Sequence, residues 1–160
     1  MPVGFDLSLG WVMPDDRRFE GSIIGFYLYV VPEAAVDVGL LREEMYLVGR
    51  DNGGSVSVHG EYDAVRARYR FFNDDIQSAR LLASAGYAQF THNLTVGAFA
   101  FDLGVEYVPW KASNATAASE FAIQLRYRYC RFASVDVQGL NQPVDNAGGF
   151  IAGVAGEVRF

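Results

Sequence analysis

The stretch SVSVHGEYD places the residue types of hydrolytic catalysis on one face of a predicted β-strand. Two hydroxyl nucleophiles, a general base and two acids follow one another at every second position: Ser55, Ser57, His59, Glu61 and Asp63. Residues two apart on a strand are separated by about 6–7 Å, whereas a nucleophile and its base must approach to about 3 Å. The row therefore favours a polar strip that faces water or lines an interior, and catalysis at His59 is kept as an alternative.

The remaining residue types support little other chemistry. His59 and His92 are the only histidines, so a His-rich metal site is not supported. Cys130 is the only cysteine, which leaves no intramolecular disulfide. No P-loop, dinucleotide-binding or nucleophile-elbow pattern occurs. We predict no metal and no cofactor, and a noncatalytic protein is favoured over an enzyme.

Composition bounds the class of protein. The formal net charge is -6 and Lys111 is the only lysine beside twelve arginines, so no basic patch marks the chain as a nucleic-acid binder. Although 51% of residues are hydrophobic, no window approaches the roughly 18 uncharged apolar residues of a transmembrane helix. Residues 1–160 are predicted to form one domain, and the first ten residues are typical of a mature chain whose export signal has been removed.

Alternation with a period of two residues recurs along the chain and predicts an all-β fold. The clearest run, 95–108, has Phe99, Phe101 and Leu103 on one side and Ala100 and Asp102 on the other. Polar clusters that contain Pro, Gly, Asn and Asp separate the runs. Further alternating runs cover 5–11, 22–31, 34–41, 55–72, about 80–91 and 121–129.

The two faces of these strands suit a closed transmembrane barrel with lipid outside. The polar faces mix Gly, Ala and Ser with a few charges, as expected of a narrow interior rather than of a solvated sheet. Aromatic residues near the strand ends suit the two interfaces of a membrane, namely Trp11, Tyr107, Tyr127, Tyr129 and Phe160. A sheet in hydrocarbon must close, because unpaired edge groups cost several kcal/mol each.

Charges on the proposed inner faces balance. The acids are Asp6, Asp37, Asp102, Glu106, Asp136 and Glu157, and the bases are Arg66, Arg68, Arg70, Arg126, Arg128 and Arg159. Unpaired buried charge is heavily penalised, and arginine pairs with carboxylates in a bidentate manner. The sequence therefore predicts a lumen plugged by a network of arginines and carboxylates.

The chain resembles the small outer-membrane β-barrels of Gram-negative bacteria. The resemblance rests on segments such as LGVEY and LRYRY and on a C-terminal pattern similar to that group's assembly signal: Phe150, Val154, Val158 and Phe160. The last third is also similar to YfaZ-type barrels. The resemblance implies recognition by the barrel-assembly machinery, contact with outer-membrane lipid and lipopolysaccharide, a monomer, and both termini in the periplasm.

The number of strands is even in this class, whereas nine segments can be counted. Fusing 119–139 into one strand gives eight strands. Splitting LLREEMYLVG at Arg42 and Glu43, with a tight turn at DNGG, gives ten. We predict eight.

Three functional hypotheses remain. The favoured one is a noncatalytic barrel with a role in the envelope or in surface interaction. The second is a narrow channel for small solutes or ions, with the charge network as its constriction. The third is an enzyme that modifies lipid A or phospholipid, centred on His59.

Overall fold

The computed structural model describes residues 1–51, 54–113 and 117–160, which form strands without a helix. Within these ranges no helix is long and apolar enough to cross a membrane. The strands are β1 (Val3–Pro14), β2 (Phe19–Glu33), β3 (Val36–Asp51), β4 (Gly54–Asn73), β5 (Ser78–Thr91), β6 (Thr95–Ser113), β7 (Ala118–Val135), β8 (Val144–Asn146) and β9 (Gly149–Arg159).

Eight antiparallel strands close into a ring. Strands β1 to β7 pair in chain order, and β9 joins β7 to β1. Strand β8 is a three-residue segment that pairs only with β7, outside the ring. Closure satisfies the backbone groups that an open sheet would leave at its two edges.

The prediction of eight strands is confirmed and the ten-strand alternative is wrong. Strand β3 runs without interruption through Arg42 and Glu43, where the alternative placed a break. The proposed strand over 119–139 is shorter than expected, since β7 ends at Val135. Two residues of the proposed DNGG turn, Asn52 and Gly53, lie outside the described residues.

The two ends of the barrel differ. Both chain termini lie at one end, the terminal end, where the backbones of Val3 and Phe160 exchange hydrogen bonds of 3.2 and 2.9 Å. The β1–β2, β3–β4, β5–β6 and β7–β9 connections lie at the other end, the loop end. The halves of the barrel nearest these ends are the terminal half and the loop half.

Bulky apolar side chains face outward, as the alternation predicts. Phe99 is 73% exposed and Leu125 49% exposed, while Asp102 and Arg126 on the opposite face are 1% and 2% exposed. The apolar positions of the C-terminal pattern, Phe150 and Val154, also face outward. Val158 is half-buried, and Phe160 follows β9 with its ring 6.5 Å from that of Phe5.

The inner surface is apolar in the loop half. Rings and aliphatic side chains fill this part of the lumen, and the rings of Phe90 and Phe132 lie 6.1 Å apart. A cavity of about 50 Å³ remains among them. We call these buried residues the apolar cap: Val12, Phe19, Ile23, Leu47, Val56, Phe90, Val144, Ala147 and Ile151.

Strand β4 shows how the inner face changes from charged to apolar between the two halves. Toward the terminal end its inner face carries Arg66 and Arg68 and its outer face carries Val65 and Tyr69. Toward the loop end the inner face carries apolar residues such as Val56, and the outer face carries the Ser55–Asp63 row. The β3–β4 ladder has no register shift. Along β4 the polar side chains therefore change from the inner face to the outer face, while the strand itself is continuous.

Candidate functional site

The terminal half of the lumen holds the buried ionic groups of the barrel. Among the described residues, seven carboxylates and seven arginines lie within ion-pair distance of a partner there. We call this set the ionic network: Asp6, Asp37, Glu43, Asp102, Glu106, Glu120, Glu157, Arg66, Arg68, Arg70, Arg80, Arg126, Arg128 and Arg159.

One group of the network lies next to the apolar cap and is centred on Glu43 and Asp102. Arg128 reaches Asp102 through Nε at 2.7 Å and Nη2 at 2.9 Å, which is the bidentate geometry that arginine favours. Arg126 and Arg128 also donate to Glu43. Arg66 makes longer contacts, 3.5 Å to Glu43 and 3.9 Å to Asp102.

A second group lies nearer the terminal end and is organised by two arginines. Arg68 donates from Nε to Asp37 at 2.7 Å and from Nη1 to Asp6 at 2.9 Å. Its Nη1 also lies 3.0 Å from Glu157. Arg80 donates from Nη1 to the same Glu157 carboxylate at 2.6 Å, and its other terminal nitrogen contacts Glu120. Shared carboxylates thus join both arginines into one network.

Tyrosine rings hold the arginines of the second group in place. The Arg68 guanidinium lies over the rings of Tyr27 and Tyr29, at 4.8 and 4.6 Å from their centroids. The Tyr29 hydroxyl donates to Glu157 at 2.5 Å, and the Tyr27 hydroxyl donates to Asp37 at 3.0 Å. Each tyrosine therefore contacts both partners of an ion pair.

The charge balance of the network lowers the cost of burying it. Seven arginines and seven carboxylates sum to zero when all are ionised. Paired and hydrogen-bonded charges survive in a low-dielectric interior, where a single charge would not. Arg66, Arg68, Arg80 and Arg128 are among the largest fully buried side chains of the barrel. Together they fill the terminal half of the lumen.

The structure places eleven of the twelve charges predicted for the lumen in this network. Arg70 and Arg159 lie at its rim, with side chains 11% and 19% exposed. Asp136 is the exception and its placement in the lumen was wrong. It follows the end of β7 at Val135 and is exposed, because the strand stops before the alternation in the sequence does.

Sequence reasoning missed three members of the network, Glu43, Arg80 and Glu120. Glu43 shares the inward parity of Asp37 on β3, and a break proposed at Glu43 concealed this. Glu120 shares the parity of Arg126 and Arg128 on β7 but precedes the run counted from residue 121. Arg80 lies at the start of β5, whose inward face is otherwise composed of small or apolar residues.

The Ser55–Asp63 row lies on the outer face of β4, so the interior-lining alternative is wrong. The His59 ring stacks on Tyr46 at 5.1 Å, and its Nε2 lies 3.9 Å from Glu44. Arg42 contacts Glu61 at 3.1 Å and Asp63 at 3.3 Å. Among the residues that the structure describes, these contacts assign His59 to a surface strip and join it to neither serine of the row.

The loop end is fastened by side chains that cross between connections. Arg18 donates to the carbonyl oxygens of Gln142 at 2.9 Å and Pro143 at 3.1 Å, and it pairs with Asp16 at 2.7 Å. The backbone amide of Asn141 donates to Asp51 at 2.6 Å. Burial favours the protonated form of Asp16, but hydrogen bonds from Arg18 outweigh it and hold the pKa of Asp16 below its usual value.

Comparison with solved structures identifies the fold. The chain is similar to the N-terminal β-barrel domain of OprF from Pseudomonas aeruginosa, with a TM-score of 0.54 and 16% identity over 99% of this chain and 97% of that chain. It also aligns with Ail of Yersinia pestis, at a TM-score of 0.42 and 15% identity over 99% and 97% of the two chains. The third is the beta domain of the Bordetella autotransporter BrkA, at 0.32 and 10% over 99% and 98%.

The similarity to the OprF domain shows that this chain has the fold of that bacterial β-barrel domain, in agreement with the predicted small transmembrane barrel. No protein-family model matches the chain, and no curated protein matches it by sequence. The likeness to YfaZ-type barrels therefore stays a prediction.

Proposed function

We propose that this protein is an integral outer-membrane barrel with a sealed lumen, which acts without catalysis by strengthening the envelope or by presenting its loop end to a partner. The observation that carries the proposal is the filled lumen. The ionic network occupies the terminal half and the apolar cap occupies the loop half. The outward apolar surface and the fold shared with the OprF domain support a location in the outer membrane.

The loop end supports a role in surface interaction. Arg18 ties the β1–β2 connection to the β7–β9 connection, Asn141 ties the latter to Asp51 at the end of β3, and Tyr127 on β7 holds Asp15, so the loop end has a defined shape. A preformed surface binds with a smaller loss of conformational entropy than a flexible one. The loop end therefore suits a partner that recognises a fixed shape.

The proposed barrel is a monomer in contact with outer-membrane lipid and lipopolysaccharide, and both of its termini lie in the periplasm. The outward side chains of Phe150, Val154 and Phe160 form the surface that the barrel-assembly machinery would recognise on β9.

Conductance in planar lipid bilayers tests the sealed lumen. The purified barrel, verified as folded by faster migration unboiled than boiled on a denaturing gel, is expected to show no steady current. A filled lumen leaves no continuous path for hydrated ions. Steady single-channel conductance would instead support the narrow channel.

Labelling of intact cells tests the orientation. Leu94 lies in the β5–β6 connection at the loop end, and Ile76 lies in the β4–β5 connection at the terminal end; both are exposed. A membrane-impermeant maleimide should modify Leu94→Cys on whole cells and Ile76→Cys only after lysis. Cys130 is fully buried and provides the unlabelled background. The reverse pattern would place the termini outside.

A further inference from the structure

The apolar outer surface of the barrel is much taller on one side than on the other. On β6 and β7 five consecutive outward positions are apolar or aromatic: Phe99, Phe101, Leu103, Val105 and Tyr107 on β6, and Phe121, Ile123, Leu125, Tyr127 and Tyr129 on β7. On β3 only Val36, Val38 and Leu40 precede the first charge, Arg42. On β4 the charge Asp63 is reached, counted from the terminal end, after four outward positions: Phe71, Tyr69, Ala67 and Val65.

This difference is large on the scale of a membrane. At about 3.3 Å per residue, five alternate positions span about 26 Å of strand and three span about 13 Å. With strands tilted by about 40°, these lengths become about 20 and 10 Å of height. The apolar band of an outer-membrane barrel is about 25 Å tall. The apolar band is therefore about 10 Å shorter on β3, and about 5 Å shorter on β4, than on β6 and β7.

The residues that interrupt the band are charged and exposed. Arg42 and Asp63 are direct partners in the β3–β4 ladder, and their side chains are 53% and 61% exposed. The ladder continues from Asp63 through Tyr87 to Phe99, so the same row of paired residues changes from charged to apolar around the barrel. We call the outward charged residues the β3–β4 notch: Arg42, Glu44, Glu61 and Asp63.

Hydrocarbon cannot cover the β3–β4 notch as it covers β6 and β7. One arginine and three carboxylates leave the notch with a net charge of -2. The terminal nitrogens of Arg42 already contact Asp63 and Glu61, so Glu44 has no arginine of its own within the notch. Charges on the lipid face of a barrel are destabilising near the middle of the bilayer and tolerated near its interfaces. The notch therefore requires polar surroundings in the same row of paired residues where Phe99 requires apolar ones.

We propose that the β3–β4 notch is a docking surface for the polar headgroup layer of the loop-side leaflet, which descends along β3 and β4 to Arg42 and Asp63. Hydrated headgroups offer the charges what lipid chains lack, namely hydrogen bonds and a high dielectric constant. A protein partner fits less well, because a dry interface would remove water from a net charge of -2. This inference rests on the proposed membrane location.

Spin labels at matched positions test the depth of the headgroup layer. In a Cys130→Ala background, nitroxides are attached at Asp63→Cys on β4, at Phe101→Cys on β6 and at Leu125→Cys on β7. The barrel is refolded into dimyristoylphosphatidylcholine vesicles, and collisions with oxygen and with a water-soluble nickel complex are compared. We expect the label at 63 to meet nickel several-fold more often than the label at 101, and the label at 125 to meet oxygen almost alone.

Two results would overturn the inference. Equal, oxygen-dominated collisions at 63 and 101 would show that hydrocarbon covers the notch. Protection of the label at 63 from both reagents would show that a protein, such as a second copy of the chain, covers it. Nickel access at 125 would be a different failure, because the barrel would then not span the membrane as proposed.

Variants without the charges give a second readout. With the label at His59→Cys, replacing the notch by Arg42→Leu, Glu44→Leu, Glu61→Leu and Asp63→Leu should reduce nickel collisions several-fold, since the apolar band then extends toward the loop end. The control exchange Arg42→Lys with Asp63→Glu keeps the charges and should leave the collisions unchanged. Unchanged collisions in the leucine variant would contradict the proposal.

Discussion

The terminal and loop halves of β3 and β4 have opposite designs. In the terminal half, apolar residues such as Tyr69 face outward and ionic groups such as Arg68 face inward. In the loop half of these two strands, polar residues such as Glu61 face outward, and the apolar cap faces inward. This side of the loop half therefore has the arrangement of a water-soluble barrel, although β6 and β7 remain apolar outside.

The comparison shows that the same antiparallel backbone suits two kinds of surroundings, lipid and water. Antiparallel ladders continue through both halves, so the backbone groups of the strands are paired whether lipid or water lies outside. Side chains alone decide which surroundings each half fits. The two halves should then differ in how they respond to loss of a buried charge and to loss of a buried apolar side chain.

The largest expected effect comes from removing one charge from the ionic network. Glu43→Gln keeps the shape but leaves Arg66, Arg126 and Arg128 with only Asp102 as a carboxylate partner. We expect a loss of about 3–5 kcal/mol in the free energy of unfolding, because the remaining buried positive charge is uncompensated. Urea-induced unfolding from lipid vesicles measures it.

The adjacent residue provides the control for this change. Glu44→Gln alters the same functional group on the outer face, where solvent screens it, and should change the unfolding free energy by less than about 1 kcal/mol. Equal effects of the two substitutions would mean that the ionic network contributes no special dependence on charge.

A smaller loss is expected in the apolar cap. Leu47→Ala removes methyl groups from a buried side chain next to the existing cavity, and similar substitutions cost about 2–5 kcal/mol. We expect about 2–3 kcal/mol, since that cavity already limits the contacts of Leu47. Val48→Ala, one residue on and facing outward, should cost less than about 1 kcal/mol in the same urea titration. A larger loss at Val48 would contradict the assignment of the two faces.

The next expected effect tests how much Tyr29 stabilises the ionic network. Tyr29→Phe removes the hydroxyl that donates to Glu157, and hydrogen bonds to charged groups contribute about 1.5–3 kcal/mol. We expect a loss near about 1.5 kcal/mol, because Arg80 and Arg159 still contact that carboxylate. Tyr62→Phe removes a longer bond of 3.3 Å to a neutral carbonyl and should cost less. A larger loss of stability in Tyr62→Phe than in Tyr29→Phe would contradict the proposed importance of the Tyr29–Glu157 hydrogen bond.

The smallest effect concerns the fastening of the loop end. Arg18→Met removes the contacts to Asp16, Gln142 and Pro143, and it should lower global stability by about 1 kcal/mol or less, because the site is partly solvated. Amide hydrogen exchange around residues 140–147 should accelerate. Unchanged exchange would show that this connection is held by other contacts.

The Asp16–Arg18 contact also predicts a dependence on pH. The pKa of Asp16 is lower in the folded chain than in the unfolded chain. The contact therefore stabilises the loop end above about pH 4, the unfolded value, and is lost as pH falls through the folded value. Carbon-13 shifts of the Asp16 carboxyl should titrate below the usual midpoint, and in the Arg18→Met variant they should return toward it.

Much of the fold could be predicted because strand periodicity is a local property. The alternation at 95–108 and 121–129 was sufficient to predict that Phe99 and Leu125 face outward and that Asp102 and Arg126 face inward. The limits of strands were harder, since Asp136 continues the alternation although β7 has already ended. Glu120 was missed because it precedes the run counted from residue 121, and Arg80 was missed because no other charge marks the inward face of β5.

The sequence by itself determined the class of fold, the outward direction of the apolar side chains and most members of the ionic network. Each of these follows from the types of residues that lie two positions apart. Only the tertiary structure decided which charges meet, because Glu43 and Arg128 lie 85 residues apart and their contact depends on ring closure. Closure also decided that the Ser55–Asp63 row lies outside. A single strand has two faces, and which of them is interior is fixed only by its neighbours.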